Sequence, residues 1–185
     1  MNSIQRNREI GSIKLILIVG LALSIALIIF AIVHWSDNNV VKRKQAALIT
    51  SIEKRNRGKI MKLMSEEYSD RWGFSKDQAS LACREAGSQF ISLVVKAQKE
   101  QFEFNDDDTA TATATMNLKL SGRALGVGSE ILRRANQLKT PWIFTWKKEG
   151  FGPVSWKLIT IENKSIPDNA YGYRPGDFDD LLNGN

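Results

Sequence analysis

Residues 15–33, LILIVGLALSIALIIFAIV, make an uncharged apolar run, and no other stretch limits the possible fold of this chain so tightly. Gly20 and Ser24 are its only interruptions. At about 1.5 Å per residue the run makes a helix roughly 28 Å long, against a hydrocarbon core of about 30 Å. A soluble domain of this size gives its helices a polar face, and this run has none. His34 and Trp35 follow it, and amphipathic rings suit a headgroup region. The reading is one transmembrane helix over 15–34, behind a short basic tail over 1–14. The competing reading is a cleaved signal peptide. Against it, the run exceeds the usual apolar core of about 7–15 residues, and no small-residue cleavage site follows.

Flanking charge leaves the orientation nearly balanced. Arg6, Arg8 and Lys14 stand against Glu9 on one side, and Lys42, Arg43 and Lys44 against Asp37 on the other. A short basic tail leading straight into the span is the plan of a signal anchor. It puts the N-terminus in the cytoplasm and the following domain on the non-cytoplasmic side. The net charge of +6 owes much to these flanks. They read as membrane-flanking charges, with anionic lipid in reach of Lys42, Arg43 and Lys44, and no nucleic-acid partner is expected.

One histidine and one cysteine bound the chemistry. His34 lies at the end of the apolar run, so the rest of the chain holds none. Ser-His-Asp and Cys-His catalysis and histidine-based metal sites are therefore excluded within this chain. Cys83 alone makes no intramolecular disulfide and reads as a buried, inert thiol. Neither cofactor nor metal is expected. Gly126–Ser129 lacks the phosphate-binding fingerprint, and Asp177, Asp179 and Asp180 read as an acidic tail, not a cation site. Asn163-Lys164-Ser165 matches a glycosylation sequon of a kind that arises often by chance.

The folded domain is placed at 40–163. Val41, Leu48 and Ile52 recur at helical spacing, Asn56 and Gly58 mark a break, and a second short helix carries Ile60, Leu63 and Met64. Ser75 and Gln78 fit a capping box. An apolar stripe from Ala79, Ala82 and Ala86 through Phe90, Leu93, Val94 and Ala97 then predicts a helix over 76–99. The period next falls to two. Phe102 and Phe104 precede turn chemistry at Asn105–Asp108, and Ala110 to Leu120 alternate with Thr109 to Lys119, which together read as a hairpin. Residues 121–140 admit a strand-to-strand excursion with a short helix at 129–138. Trp142, Phe144 and Trp146 alternate in a third strand, and SWKLITIEN makes the last, with its inward face left open between Leu158 and Ile159/Ile161. Residues 164–185 read as an irregular tail. Helices followed by strands predict an α+β domain, its helices packed on a curved antiparallel sheet.

That order resembles the nuclear transport factor 2-like superfamily, which includes SnoaL-like domains and ketosteroid isomerase. EEYSDRWG, TATATATMNLKLSG and TPWIFTWKKEGFGPVSWKLITIEN carry the resemblance, over roughly 40–163. It implies a cone of helices and sheet around a pocket. The isomerases of that superfamily use an Asp base with Tyr and protonated Asp donors. Tyr68 and Asp70 lie where such a pocket opens, but they do not match that set position by position. Trp142, Phe144 and Trp146 are the candidate pocket wall. In layout the chain also resembles a bitopic assembly component of type IV secretion machines. The expected role is a membrane-anchored, non-catalytic binding or assembly module, with a protein partner or homodimer. The alternative is a SnoaL-like or isomerase-like enzyme for a hydrophobic ligand.

Overall fold

The computed structural model describes residues 19–30, 36–105, 110–152 and 155–177. The chain divides into two compact units, Met1–Asn39 and Val40–Asn185. In the first unit, residues 19–30 form a helix, α1, whose large apolar side chains stand in the open, Leu21 at 64% and Leu27 at 68% exposure. Among the described residues no helix is long and apolar enough to cross a membrane. The ends of the expected span, 15–18 and 31–34, lie outside the described residues.

The second unit is α+β. Helix α2 (Asp37–Glu53) turns Val40, Val41, Leu48 and Ile49 inward, and Gln45 goes in with them. The chain breaks at Arg55, at φ 54°, and Asn56 caps α3 (Arg57–Leu63) by accepting from the Lys59 N–H. Segment 64–69 then runs along the edge of the last strand, with Ser65 N–H donating to Leu158 O and Ser69 N–H to Ile159 O. The capping box forms as the sequence predicts. Ser75 Oγ accepts from Gln78 N–H, and Gln78 accepts from Ser75 N–H, at the start of α4 (Lys76–Ser88).

The expected helix over 76–99 is corrected. It stops at Ser88, and Phe90 opens strand β1 (Phe90–Asn105). FISLVV is aromatic and β-branched, which favours a pleated surface, and it finds a partner in β2 (Thr111–Ala124). The pairing runs from Phe90↔Ala124 to Asn105↔Thr111, well beyond the hairpin expected from 101–104. A bulge between Gln98 and Gln101, with Lys99 at φ 54°, adds one residue to β1. It lets Leu93 and Ala97 before it and Phe102 and Phe104 after it share the core face. Of the expected turn at Asn105–Asp108, only Asn105 is described.

Within the ambiguous stretch, 121–124 extend β2, and helix α5 (Gly128–Gln137) is the short helix expected at 129–138. Its Asn136 amide behaves like a strand residue, donating to Leu120 O and accepting from Leu120 N–H. Strands β3 (Trp142–Lys148) and β4 (Trp156–Glu162) complete an antiparallel sheet of order β1-β2-β3-β4. A bulge beside Thr145 answers the open question about the last strand. Leu158 pairs with Trp146 and Ile161 with Phe144, so both reach the core, and Ile159 is the residue skipped between them. Trp146, Trp156, Phe144, Leu48, Met116 and Leu158 are wholly enclosed.

Candidate functional site

The Tyr68-Ser69-Asp70 segment follows α3 and leads into α4. Tyr68 is buried, and its hydroxyl donates to Asp70 Oδ2 at 3.3 Å. Asp70 Oδ1 accepts from the N–H groups of Trp72 (3.0 Å) and Phe74 (2.9 Å), so the carboxylate folds the turn that delivers Ser75 to its capping position. Burial pushes the Asp70 carboxyl above its ordinary range, and the backbone N–H of Phe74 and Trp72 and the Tyr68 hydroxyl pull against it. Burial, and then the neighbouring Asp70, hold the Tyr68 hydroxyl far above the usual phenol range. The thiol of Cys83, a half-buried residue of α4, is pushed up to about 11 by burial and by Asp70. An unionised thiol is a poor nucleophile.

The aromatic candidates do not share one wall. Phe144 and Trp146 are core, and the Trp146 indole N–H donates to Gln45 Oε1 at 2.9 Å. Gln45 Nε2 in turn lies 3.6 Å from Met116 Sδ. Trp142 is half-buried at the other end of β3 and meets Trp72 edge to face at 6.2 Å. Tyr68 and Asp70 are thus brought together, Phe144 and Trp146 are stacked into the core, and Trp142 stands apart.

Sequence reasoning passes over Gln45 and Glu85 and reads Asn163 only as part of a sequon; all three are buried polar residues. Gln45 sits four residues after Val41 and three before Leu48, a polar residue on an apolar stripe, which is a readable signal. Glu85 is 2% exposed and accepts from the Tyr173 hydroxyl (2.5 Å) and the Gly176 N–H (2.9 Å), binding the tail to α4. Asn163 is 0% exposed, and its amide nitrogen donates to Thr140 O. A sugar on that nitrogen is incompatible with this packing. Lys44, read from the sequence as membrane-flanking, turns to the domain, where its ammonium donates to Trp156 O at 2.5 Å. Burial and then Lys157 lower its pKa. Lys42 sits over the Phe102 ring at 5.5 Å.

An opening of about 220 Å³ lies between α2 and β1, reaching Ile49, Val95, Gln45 and Met116. Glu53 and Glu100 line it, and Glu53 Oε1 is already taken by the Val95 N–H at 2.7 Å. Gln45 and Glu53 thus serve the fold, and the apolar walls suit a small apolar group. Among the described residues no three His, Cys, Asp or Glu side chains converge where a metal ion would sit.

No protein-family model matches the sequence, and neither does any curated protein. Solved structures are similar in fold. A nuclear transport factor 2-like protein from Cytophaga hutchinsonii is 15% identical with a TM-score of 0.47, over 68% of this chain and 95% of that one. Bd1075 of Bdellovibrio bacteriovorus is 11% identical with a TM-score of 0.49, over 66% of this chain and 38% of that longer one. A protein from Novosphingobium aromaticivorans with a suggested aromatic-ring-hydroxylase assignment is 10% identical with a TM-score of 0.47, over 69% and 89%. With likeness this distant, the fold statement rests on the helices and sheet of this chain itself.

Proposed function

We propose that this chain is a membrane-anchored, non-catalytic binding or assembly module. In this reading a nuclear transport factor 2-like domain is tethered through residues 15–34 and presents a surface to a protein partner or to a second copy. The observation that carries it is how the candidate reactive groups are used. Tyr68 and Asp70 hold a turn, Phe144 and Trp146 fill the core, and Gln45 satisfies the Trp146 indole. The open apolar side chains of α1 support the tether. Under this reading, alkaline extraction leaves the full chain in the membrane pellet and releases a chain deleted for 15–33. Release of both variants sinks the tether.

The outer face of β2 is the surface assigned to association. Thr111, Thr113 and Thr115 are half-exposed there, opposite the buried Ala112, Ala114 and Met116. Thr111→Lys with Thr113→Lys should dissolve the homo-oligomer or release the partner while the Tm stays near that of the parent. Unchanged association state and unchanged partner recovery count against this face.

The opening between α2 and β1 favours a second reading, a small-molecule-binding, SnoaL-like or isomerase-like protein for a hydrophobic ligand. It requires a ligand retained by the protein itself.

A further inference from the structure

The β2–β3 ladder ends at Met116↔Trp142, while Leu120 is taken up by Asn136. Leu118 lies between the two. Residues of an antiparallel strand alternate in the direction of their peptide groups. Leu120 sends its N–H and C=O away from β1 to Asn136, so Leu118 sends its own the same way, into the gap between β3 and α5. A hollow of about 200 Å³ occupies that gap, lined by Leu118, Lys119, Lys139 and Trp142 among others. A second hollow of about 430 Å³ adjoins it across Leu138 and Lys139 and brings in Arg133 and Arg134. The lining of the two holds four cations and no carboxylate. Glu130 engages Arg133 and Arg134 from the α5 side, whereas Lys119 and Lys139 have no carboxylate partner among the described residues.

We infer that this cleft is the docking site of an extended acidic peptide segment of the partner protein, an inference that rests on the binding-module reading above. One peptide residue continues the interrupted ladder by pairing with Leu118. Flanking carboxylates meet Lys119 and Lys139, and an apolar side chain lies against the half-buried Trp142 ring. Strand addition supplies affinity through the main chain, while alternate side chains supply the choice of partner. The excess of cations selects acidic sequence.

The test uses the full chain in detergent micelles and a synthetic hexapeptide alternating Asp and Leu, with a Lys–Leu hexapeptide as control. Binding is read from the Leu118 backbone amide and the Trp142 indole resonances. The expected result is a saturable shift of both with the Asp–Leu peptide and none with the Lys–Leu peptide. Lys119→Glu with Lys139→Glu should weaken the acidic peptide by roughly tenfold or more, while Lys147→Glu, at the far end of the β2–β3 ladder, leaves it unchanged. No shift, an equal response to both peptides, or a double variant that binds as before overturns the site. If the peptide fails while the protein still associates with a stoichiometric partner, the cleft is refuted and the assembly reading stands. If association is also absent, both fall.

Discussion

Asp70 is where a single residue decides between two accounts of this domain. Its carboxyl is held above the ordinary range in the fold. Between its unfolded and folded pKa values the native state binds more protons, so stability falls as pH rises through that window. Asp70→Asn keeps an oxygen for the Trp72 and Phe74 N–H groups and cannot ionise. Its Tm should match the parent in acid and exceed it progressively as pH climbs through the window; parallel Tm curves contradict the burial argument. Asp70→Ala orphans both N–H groups and should cost about 1–3 kcal/mol at every pH. Gln45 makes the matching case inside the core. Gln45→Leu leaves the Trp146 indole N–H without its acceptor, at a cost of about 1–3 kcal/mol, and Trp146→Phe added to it should restore part of the loss. Additive losses in that cycle, measured by denaturant unfolding, would show that the two side chains do not depend on each other.

At the level of elements, β1 and β2 carry the domain, and their close approach depends on Gly122. A Cβ there lies 2.1 Å from Ser92 O, at a φ of +150°. Gly122→Ala should therefore cost about 2 kcal/mol or more and lower Tm, whereas Gly73→Ala meets no atom and suffers only its φ of +80°. Equal Tm losses for the two would show that strand crowding is not the cause. The same strands explain what the sequence reveals and what it hides. The Ser75–Gln78 box is local chemistry between neighbours and is legible, as is the two-residue alternation of β2. The end of α4 is not, because Phe90, Leu93, Val94 and Ala97 continue a helical stripe by coincidence. Leu93 and Ala97 face the core in either conformation, and the choice of strand comes from pairing with Leu118–Ala124, distant in sequence. Each bulge shifts the alternation by one residue, which is why Leu158 and Ile161 looked contradictory. For the site, residue type pointed to Tyr68 and Asp70, but only tertiary contacts reveal that they serve a turn and that Phe144 and Trp146 serve the core.

At the level of the whole chain, residues 163–176 are tied to the helices and sheet. Asn163 and Ser165 hold this segment to Thr140, and Glu85 holds it through Tyr173 and Gly176. Glu85→Gln should lower Tm by an amount that Tyr173→Phe largely reproduces, and limited proteolysis should then cut near Tyr173 sooner. Resistance equal to the parent would place the tail's anchorage elsewhere. The central claim is the proposed role, a binding or assembly module that carries a partner and no small-molecule ligand. The most direct measurement is native mass spectrometry of the chain, released in mild detergent from the cells that make it. The account predicts a homo-oligomer or a complex with a stoichiometric second protein, with no small-molecule increment on the chain itself. A monomer that retains a bound molecule of a few hundred daltons contradicts it and gives the opening between α2 and β1 to a ligand.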